Sequence, residues 1–422
     1  MTSASLTMAR HRAAAAPALP LVIVAFVVSM IVPADLAFEV YELRLDPQRL
    51  VLLAASFGIL TWMLRTRDLR SHDLLVISAA IWAVMATFLH MTPGAALERG
   101  GSFALETAVA YLLPSACLVS AGQVRIMIRG FFLIVAILAV LAGMEAIIAE
   151  HVIADWAAET MDKPEPFMAE ERLGLLRARV SFSHQILFGI FCASLFGFFW
   201  FEATTHTARA IRTMVCGAAV FFSLSSAAYL LFVLQVAMIW AEAATRHLKN
   251  RARHFLMVGA ASWIAIELAV QGGITGFVTR YLSLNPSTAY YRQLIWQHVT
   301  DDISANLLVG TGGFWTRPFW MVTSIDQFYF AKALKYGTMP LVLIVLAVGL
   351  IAREMWRRPA IPGTAHWCVR LGWLFCILGL AGAGLTVDYF GRSLPFVMFI
   401  IGLGAAWLRI VDRSQPKAGV AQ

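Results

Sequence analysis

Residues 126–148 read IMIRGFFLIVAILAVLAGMEAII, an apolar run long enough to cross the hydrocarbon core of a bilayer as one helix. Comparable runs recur along the whole chain, in which 60% of the residues are hydrophobic and 14% are charged. This composition leaves too little polar surface to cover a water-soluble particle of 422 residues. The chain is therefore predicted to be a membrane protein with many spans.

Helices are the expected form of these spans, because backbone polar groups in lipid must be satisfied within the segment. The runs are also too long and too uniformly apolar for the strands of a barrel. We expect twelve spans, at residues 18–38, 48–64, 73–92, 102–121, 126–148, 186–203, 211–225, 227–244, 254–270, 338–352, 367–386 and 394–409. The prediction is an all-α polytopic membrane protein, with residues 1–422 as a single integral membrane domain.

The positions of the basic residues predict the orientation of the chain. With the N-terminus inside, most of the 33 lysines and arginines fall in the inner segments. The short outer loops hold only Arg44, Arg49, Arg99 and Arg392. The net charge of +8 is then mostly an orientation signal, so no nucleic-acid partner is expected. An even number of spans places both termini in the cytoplasm.

Several other classes of site are not supported by the sequence. The five cysteines lie in or beside predicted spans without a C-x-x-C pair, which favours packing over a disulfide framework. The ten histidines contain no H-x-x-x-H pair, so no metal is expected. The sequence GTGG at 310–313 lacks the Lys-Ser/Thr of a nucleotide loop. We expect no cofactor.

The first long outer loop, residues 149–185, is acidic at its beginning and basic at its end. Three polar side chains precede the next span and are expected at the outer membrane-water boundary: Arg177, Arg179 and His184. Arginine suits a phosphate or pyrophosphate, because its planar fork gives paired, charge-assisted hydrogen bonds and keeps its proton. The competing interpretation is interfacial snorkelling, or pairing with Glu170 and Glu171.

The second long outer loop, residues 271–337, begins with a predicted amphipathic helix. Ser287 can act as its N-cap, and apolar side chains then recur at helical spacing on one face. Arg292 and Trp296 are four residues apart and are therefore neighbours on this helix. The competing interpretation is a surface helix that uses Trp296 as an interface anchor.

Glycines and aromatic residues follow at 310–320, where the chain reads GTGGFWTRPFW. Glycines permit close backbone approach, and Trp315, Phe319 and Trp320 offer flat faces of the kind that pack against sugar rings. A generic interfacial aromatic belt is the competing interpretation.

Asp326 lies in the sequence SIDQFYF, just before the tenth predicted span. A carboxylate next to the membrane is costly unless it is paired, so that Arg292 or Arg317 is its expected partner.

The order of these residues resembles a known family pattern. In that pattern an arginine is followed by an aromatic residue five positions on and a histidine seven positions on, as in Arg177, Phe182 and His184. Val180 and Gln185 stand where family members usually carry glycine and proline. A Ser-rich junction between two spans, SLSS at 223–226, and a second run of residues match as well. The second run comprises Tyr291, Arg292, Trp296, Gly310, Gly312, Trp315, Arg317, Pro318, Ser324, Ile325 and Asp326.

Together these motifs resemble the O-antigen polymerase and ligase superfamily over about residues 170–350. The exopolysaccharide polymerase branch is the most similar, because ligase-type members carry a histidine near the position of Asp326. The resemblance implies an inverting glycosyltransferase of the multi-span, lipid-carrier-dependent (GT-C-like) architecture. Its substrates would be oligosaccharide repeat units on undecaprenyl pyrophosphate, at the outer face of a bacterial inner membrane. A flippase and a chain-length regulator of the same pathway are the expected partner proteins.

Roles for individual residues follow from this resemblance. Fixed positive charge would hold the leaving pyrophosphate, and the candidates are Arg177, Arg179 and Arg292. Either His184 or Asp326 would take the proton from the attacking hydroxyl, with His184 preferred for its ordinary pKa near the working pH. The sugar-binding candidates are Tyr291, Trp296, Trp315, Arg317, Gln327 and Tyr329. No metal is needed if arginines neutralise the diphosphate.

Two rival functions fit the same topology. A ligase would pass the finished glycan to another acceptor. A flippase or transporter of lipid-linked glycan would use a carboxylate within the membrane, for which Glu106 in the fourth span is the candidate. The sequence lacks paired halves with matching broken helices, and we expect Glu106 to be hydrogen-bonded in the bundle interior.

Overall fold

The computed structural model describes residues 18–40, 43–162, 170–248, 257, 261, 263–265, 267–270, 286–321 and 324–414, with side chains for all of these except 39, 40, 43 and 286–293. The described chain is mostly α-helical, with two short antiparallel hairpins. In chain order the elements are α1 Leu21–Val28, β1 Phe38–Val40, β2 Leu43–Leu45, α2 Pro47–Thr66, α3 Ser71–His90, α4 Pro93–Ala104, a π-helical turn Leu105–Val109, α5 Ala110–Cys117, α6 Ala121–Ile148, α7 Val152–Thr160, β3 Glu171–Arg172, β4 Leu175–Leu176, α8 Gln185–Ser194, α9 Phe196–Glu202, α10 His206–Ser223, α11 Ser226–Thr245, α12 Pro286–Ala305, α13 Phe328–Tyr336, α14 Met339–Arg357, α15 Ala365–Ala383 and α16 Ser393–Ser414.

Eight helical segments of the described chain are long and apolar enough to cross a membrane. They are α2, α3, α6, α8 with α9, α11, α14, α15 and α16. Each coincides with one of the predicted spans, so the prediction of a helical membrane protein with many spans is confirmed. The total of twelve spans and the glycosyltransferase architecture stay predictions.

The other four predicted spans have different outcomes. Residues 102–121 and 211–225 fall largely on helices, namely α4 to α5 and α10. Eight of the seventeen residues in the range 254–270 lie outside the described residues, so this span stays a prediction. In the first predicted span, 18–38, the helix ends at Val28, and turns lead from there to β1. The sequence therefore predicted too long a helix at this position.

Arg392 explains why the chain can leave the helix after Val28. Its guanidinium is buried and donates hydrogen bonds to the carbonyl oxygens of Ser29, Met30 and Val32, at 3.2, 3.0 and 2.6 Å. The hydroxyl of Ser181 donates a further bond, of 2.7 Å, to the Met30 carbonyl. Carbonyls at a helix end need such partners, because they have none within the helix. Hydropathy alone could not reveal a partner so distant in sequence.

The core is organised around α16, which is buried along almost its whole length. It packs against α5, α14 and α15. Glycines allow the closest approaches, since a Cβ atom at Gly402 would lie 1.9 Å from the carbonyl oxygen of Tyr111 in α5. Small residues at helix contacts are the usual means of tight packing between helices in lipid.

A buried ion pair fastens α16 to α3. Arg409 pairs with Asp73, and both side chains are almost completely buried. Asp73 also accepts a hydrogen bond of 3.0 Å from the hydroxyl of Tyr111, and it lies 3.1 Å from the ring of His72. The orientation prediction counted Arg409 among the basic residues of the inner segments. The structure shows that it is neutralised inside the bundle, where an unpaired charge would be costly.

The helix ends form two groups, which agree with the two sides expected from alternating spans. The basic end bears residues 66–73, 115–125, 202–209, 354–370 and 409–413, which are linked by pairs such as Arg70 with Asp412 at 2.9 Å. The loop end bears residues 29–40, 43–49, 90–106, 145–162, 170–184, 306–321, 324–338 and 384–393. Which end faces the cytoplasm stays a prediction.

The close contact at Gly402 predicts a stability effect. We expect Gly402→Ala to destabilise the fold by about 1–3 kcal/mol, because the added methyl group forces α16 and α5 apart. Gly349→Ala in α14 is the control, since its Cβ meets nothing within 4 Å and alanine favours a helix. Thermal unfolding in detergent measures both variants. Equal melting temperatures would contradict the tight packing of α16 on α5.

Candidate functional site

The segment from Arg177 to His184 is folded down among the helices of the loop end. The carboxylate of Glu145, near the end of α6, accepts hydrogen bonds from the backbone N–H groups of Arg179 and Val180, at 3.2 and 3.0 Å. Glu145 is itself buried, and its carboxylate lies 3.4 Å from the ring of His151. Glu145 could not be singled out from the sequence, because its partners are distant backbone amides.

Val180 adopts a positive φ of 51°, in the left-handed region that a β-branched residue rarely occupies. This is the position at which the family pattern usually carries glycine, the residue that adopts this conformation without strain. The N–H of Val180 bonded to Glu145 and the burial of the Val180 side chain hold the backbone in this conformation. The backbone conformation at position 180 is therefore one that a glycine would adopt without strain.

The two predicted pyrophosphate-binding arginines of this segment have different surroundings. Arg177 is buried and paired with Glu170, as the competing interpretation expected. Arg179 is also buried, and its Nη1 lies 3.7 Å from the carboxylate of Asp35. The Nε and Nη2 atoms of Arg179 make no hydrogen bond within the described part of the chain. Arg177 has one such donor, its Nε atom. Because buried donors are almost always satisfied, Arg179, with two unbonded donors and a more distant carboxylate, is the better candidate to bind an added anion.

His184 is the N-cap of α8, and its Nδ1 atom accepts a hydrogen bond of 3.2 Å from the backbone N–H of Ile186. Burial lowers the pKa of His184, and the positive charge of Arg177 lowers it further. The imidazole is therefore neutral at pH 7. A neutral ring that accepts at Nδ1 carries its proton on Nε2, so His184 presents a donor to any ligand.

A cavity of about 630 Å³ opens beside these residues. Its charged and titratable lining consists of Asp35, Arg44, Asp46, Arg49, Arg179, His184, Asp326 and Asp388. These side chains come from loops and helix ends distributed over most of the chain. The structure thus brings Arg179, His184 and Asp326 to one cavity, although the first two lie more than 140 residues from the third in sequence.

Asp326 reaches this cavity as an exposed side chain in the segment that precedes α13. Sequence analysis expected it to pair with Arg292 or Arg317. Arg317 instead donates a hydrogen bond to the carbonyl oxygen of Met321. Tyr291 and Arg292 belong to α12, but their side chains lie outside the described residues. The expected pair of Asp326 with Arg292 therefore stays a prediction.

Four further predicted sugar-binding residues do not line the cavity, namely Trp296, Trp315, Gln327 and Tyr329. Trp296 makes an edge contact with Phe330, with ring centroids 6.1 Å apart, and Trp315 packs on a small apolar cluster around Val299. The hydroxyl of Tyr329 donates a hydrogen bond of 2.8 Å to the carbonyl oxygen of Ala381. Gln327 is buried. Each of these four contributes to packing at the loop end, and their sugar-binding role stays a prediction.

The glycine-rich segment at 310–313 packs against α13. Thr311 donates its backbone N–H to the carbonyl oxygen of Leu334 at 2.7 Å. Gly310 has a φ of 68°, and a Cβ atom there would lie 2.5 Å from the same oxygen. These glycines therefore permit a close backbone contact. Beyond this segment Phe319 and Trp320 are exposed, as either interpretation of the aromatic run requires.

Sequence reasoning missed Asp35, Asp46, Arg49 and Asp388 as members of the site. Arg49 pairs with Glu106, at 2.6 Å, which confirms the expectation that Glu106 is bonded in the interior. The sequence signal that could have indicated them is their position at the boundary of a predicted span, where an unpaired charge is costly. Hydropathy could not show that these boundaries meet. Among the described residues, no group of three His, Cys, Asp or Glu side chains is placed to hold a metal ion.

Comparison of the sequence with models of protein families and with curated proteins found no match. The resemblance noted from the motifs therefore stays a prediction.

The lowered pKa of His184 predicts a pH dependence of stability. The unfolded chain takes up this proton near the ordinary pKa of about 6.5, so below that pH the unfolded state binds more protons than the folded state. The stability contributed by neutral His184 is complete above about pH 6.5 and is lost as the pH falls toward the lowered pKa. Wild-type protein should therefore lose more melting temperature between about pH 7.5 and about pH 5.5 than His184→Asn, which keeps an N-cap.

The exposed His206 at the start of α10 provides the matched control. His206→Asn should lose as much melting temperature as the wild type over the same interval. A His184→Asn protein that behaved like the wild type would show that this imidazole is not held neutral by the fold.

Proposed function

We propose that this protein is an inverting glycosyltransferase that polymerises oligosaccharide repeat units carried on a lipid pyrophosphate. The observation that supports the proposal best is the cavity at the loop end. It combines a buried arginine with open donors, a neutral imidazole that presents N–H, and an accessible carboxylate. The motif resemblance supplies the substrate class. In this proposal the loop end faces outward from a bacterial inner membrane.

The reaction is a single displacement. The oxygen of an acceptor hydroxyl forms a bond to the anomeric carbon of the donor sugar, while the bond from that carbon to the pyrophosphate oxygen breaks. The bonding electrons leave with the pyrophosphate. The hydroxyl proton passes to a base in the cavity. Attack from the side opposite the leaving group inverts the configuration at the anomeric carbon.

Asp326 is the better candidate for the base. The Nδ1 lone pair of His184 is engaged by the N–H of Ile186, and its Nε2 carries the proton, so the neutral ring has no free acceptor. The carboxylate of Asp326 is exposed to the cavity and can accept a proton. His184 would instead donate its Nε2–H to a sugar or phosphate oxygen. This assignment reverses the preference drawn from the sequence.

Arg179 is the proposed cation for the leaving group. Arg179 lines the same cavity as Asp326 and has two N–H donors without a partner among the described residues, and fixed donors aimed at developing negative charge stabilise a transition state strongly in a site with little water. Arg177 would contribute less, because Glu170 already engages it. The role of Arg292 is proposed from the resemblance alone.

The function is tested with purified protein and a lipid-linked repeat unit. A ladder of lipid-linked oligomers is the expected product. Transfer of the glycan to a different acceptor would indicate a ligase, and lipid translocation without a covalent product would indicate a flippase. Either result would overturn the proposal.

The base assignment predicts that Asp326→Asn abolishes the ladder while His184→Asn only slows it, by about 10²-fold or less. The amide cannot accept the hydroxyl proton, whereas the loss of one hydrogen-bond donor leaves the base in place. Asp301→Asn, an exposed position in α12, is the matched control and should make the full ladder. Full activity of Asp326→Asn would refute the assignment.

The cation assignment predicts that Arg179→Lys loses rate by about 10-fold or more, because lysine keeps the charge but lacks the fork of donors. Arg353→Lys in α14 is exposed at the opposite end and serves as the control. Initial rates at saturating substrate measure both. A wild-type rate for Arg179→Lys would show that a single positive charge is sufficient at this position and would contradict the need for the fork of donors.

A further inference from the structure

A second cavity, of about 440 Å³, adjoins the first. Arg49, Phe390 and Gly391 line both cavities and form the wall between them. The second cavity lies between α4, the π turn and α13, and its charged lining consists of Arg49, Glu98, Arg99, Glu106, Lys332 and Lys335. None of the residues assigned above to base, donor or leaving-group roles lines it.

Positive charge in this cavity exceeds what its partners neutralise. Arg49 is engaged by Glu106, and the ammonium group of Lys332 lies 3.1 Å from the carboxylate of Asp388. Arg99 and Lys335 form no ion pair within the described part of the chain. Glu98 is the remaining carboxylate of the lining. An anion bound here would meet two unpaired cations.

The two lysines stand close together, which is unfavourable in the empty cavity. Lys332 and Lys335 are three residues apart on α13 and therefore share a face of that helix. The charge of Lys332 lowers the pKa of Lys335, and burial lowers it further. A bound anion would relieve this repulsion.

An apolar groove of about 1,080 Å³ adjoins the cationic cavity. Arg49, Glu98 and Ser102 line both spaces, so a ligand bound in one lies beside the other. The groove runs between α2, α3 and the helix formed by α4 and the π turn, and α2 and α3 are both candidate spans. Its apolar lining includes exposed side chains: Leu53, Ile81, Met85 and Leu97.

We propose that the cavity and the groove together bind a lipid phosphate. The phosphate lies among Arg99, Lys332 and Lys335, and the hydrocarbon chain lies along the groove. Charge complementarity selects an anionic head, and the continuous apolar groove selects a long hydrocarbon chain over a free anion. This site is separate from the cavity of Arg179, His184 and Asp326. Its use for the second lipid-linked substrate of the reaction rests on the proposed function, whereas lipid phosphate binding itself does not.

The test uses farnesyl phosphate that carries a photoreactive group in its chain, with purified protein in detergent. After irradiation, mass spectrometry of peptides locates the adducts. We expect saturable labelling of α2, α3 and α4. The double variant Arg99→Gln, Lys335→Gln should lower the apparent affinity at these peptides by at least about tenfold. Arg353→Gln, Arg357→Gln removes the same charge from exposed positions at the basic end and should label like the wild type.

Gly101→Phe tests the groove independently of the head. A Cβ atom at Gly101 meets only Leu97, at 4.0 Å, so the ring can enter the groove without a clash with the backbone. It should weaken competition by unlabelled farnesyl phosphate and leave competition by short-chain isopentenyl phosphate unchanged. Melting temperatures near that of the wild type would show that both variants fold.

Three results would overturn the proposal. The first is competition by farnesol as strong as that by farnesyl phosphate, the second is competition by inorganic phosphate as strong as that by the lipid, and the third is labelling of the double variant at the wild-type level. Asp326→Asn separates this proposal from the proposed function, because it should abolish the ladder and still be labelled at the groove. Labelling of a protein that makes no polymer in any form would refute the function and leave the lipid site standing.

Discussion

Backbone groups that leave helical geometry within a membrane protein must find polar partners in the protein, because lipid offers none. Two charged side chains meet this constraint at the loop end. Arg392 binds three carbonyl oxygens after α1, and Glu145 binds two amides in the segment from Arg177 to His184. The hydroxyl of Ser181 joins the two irregular segments to each other. The candidate site depends on both segments, since Asp35 follows the first and Arg179 lies within the second.

The loop end therefore uses its charges in two ways. Some are already neutralised by an ion pair within the protein, as Arg177 is by Glu170 and Arg49 is by Glu106. Others are engaged less fully: Arg179 has two N–H donors without a partner among the described residues, and each of Arg179 and Lys335 lines a cavity. A count of basic residues cannot separate these groups. The separation follows only from which carboxylate each cation meets, and it decides which arginine can bind a substrate phosphate.

Hydropathy predicted the helices that cross the membrane, because burial in lipid acts on each segment separately. The polar loops likewise showed Arg179, His184 and Asp326 as unusual residues beside spans. The sequence could not show that Asp46 and Asp388 line the same cavity, since they lie between 62 and 280 positions away from these three residues. It also could not show which nitrogen of His184 is free. The free nitrogen is decided by the N-cap hydrogen bond from the N–H of Ile186 to Nδ1 of His184. Because of this bond, Asp326 is the proposed base in place of His184.

The π turn between α4 and α5 has a consequence for the sequence pattern of this region. A π turn holds one residue more than an α turn, and each residue rotates a helix by roughly 100°. The face that α5 presents to α16 is therefore out of phase with the face that α4 presents to the groove. A helical projection of residues 93–117 that ignores the π turn would therefore assign the wrong inward-facing side to either α4 or α5. One added residue thus lets one continuous helical segment serve the packed interior along one half and an open groove along the other.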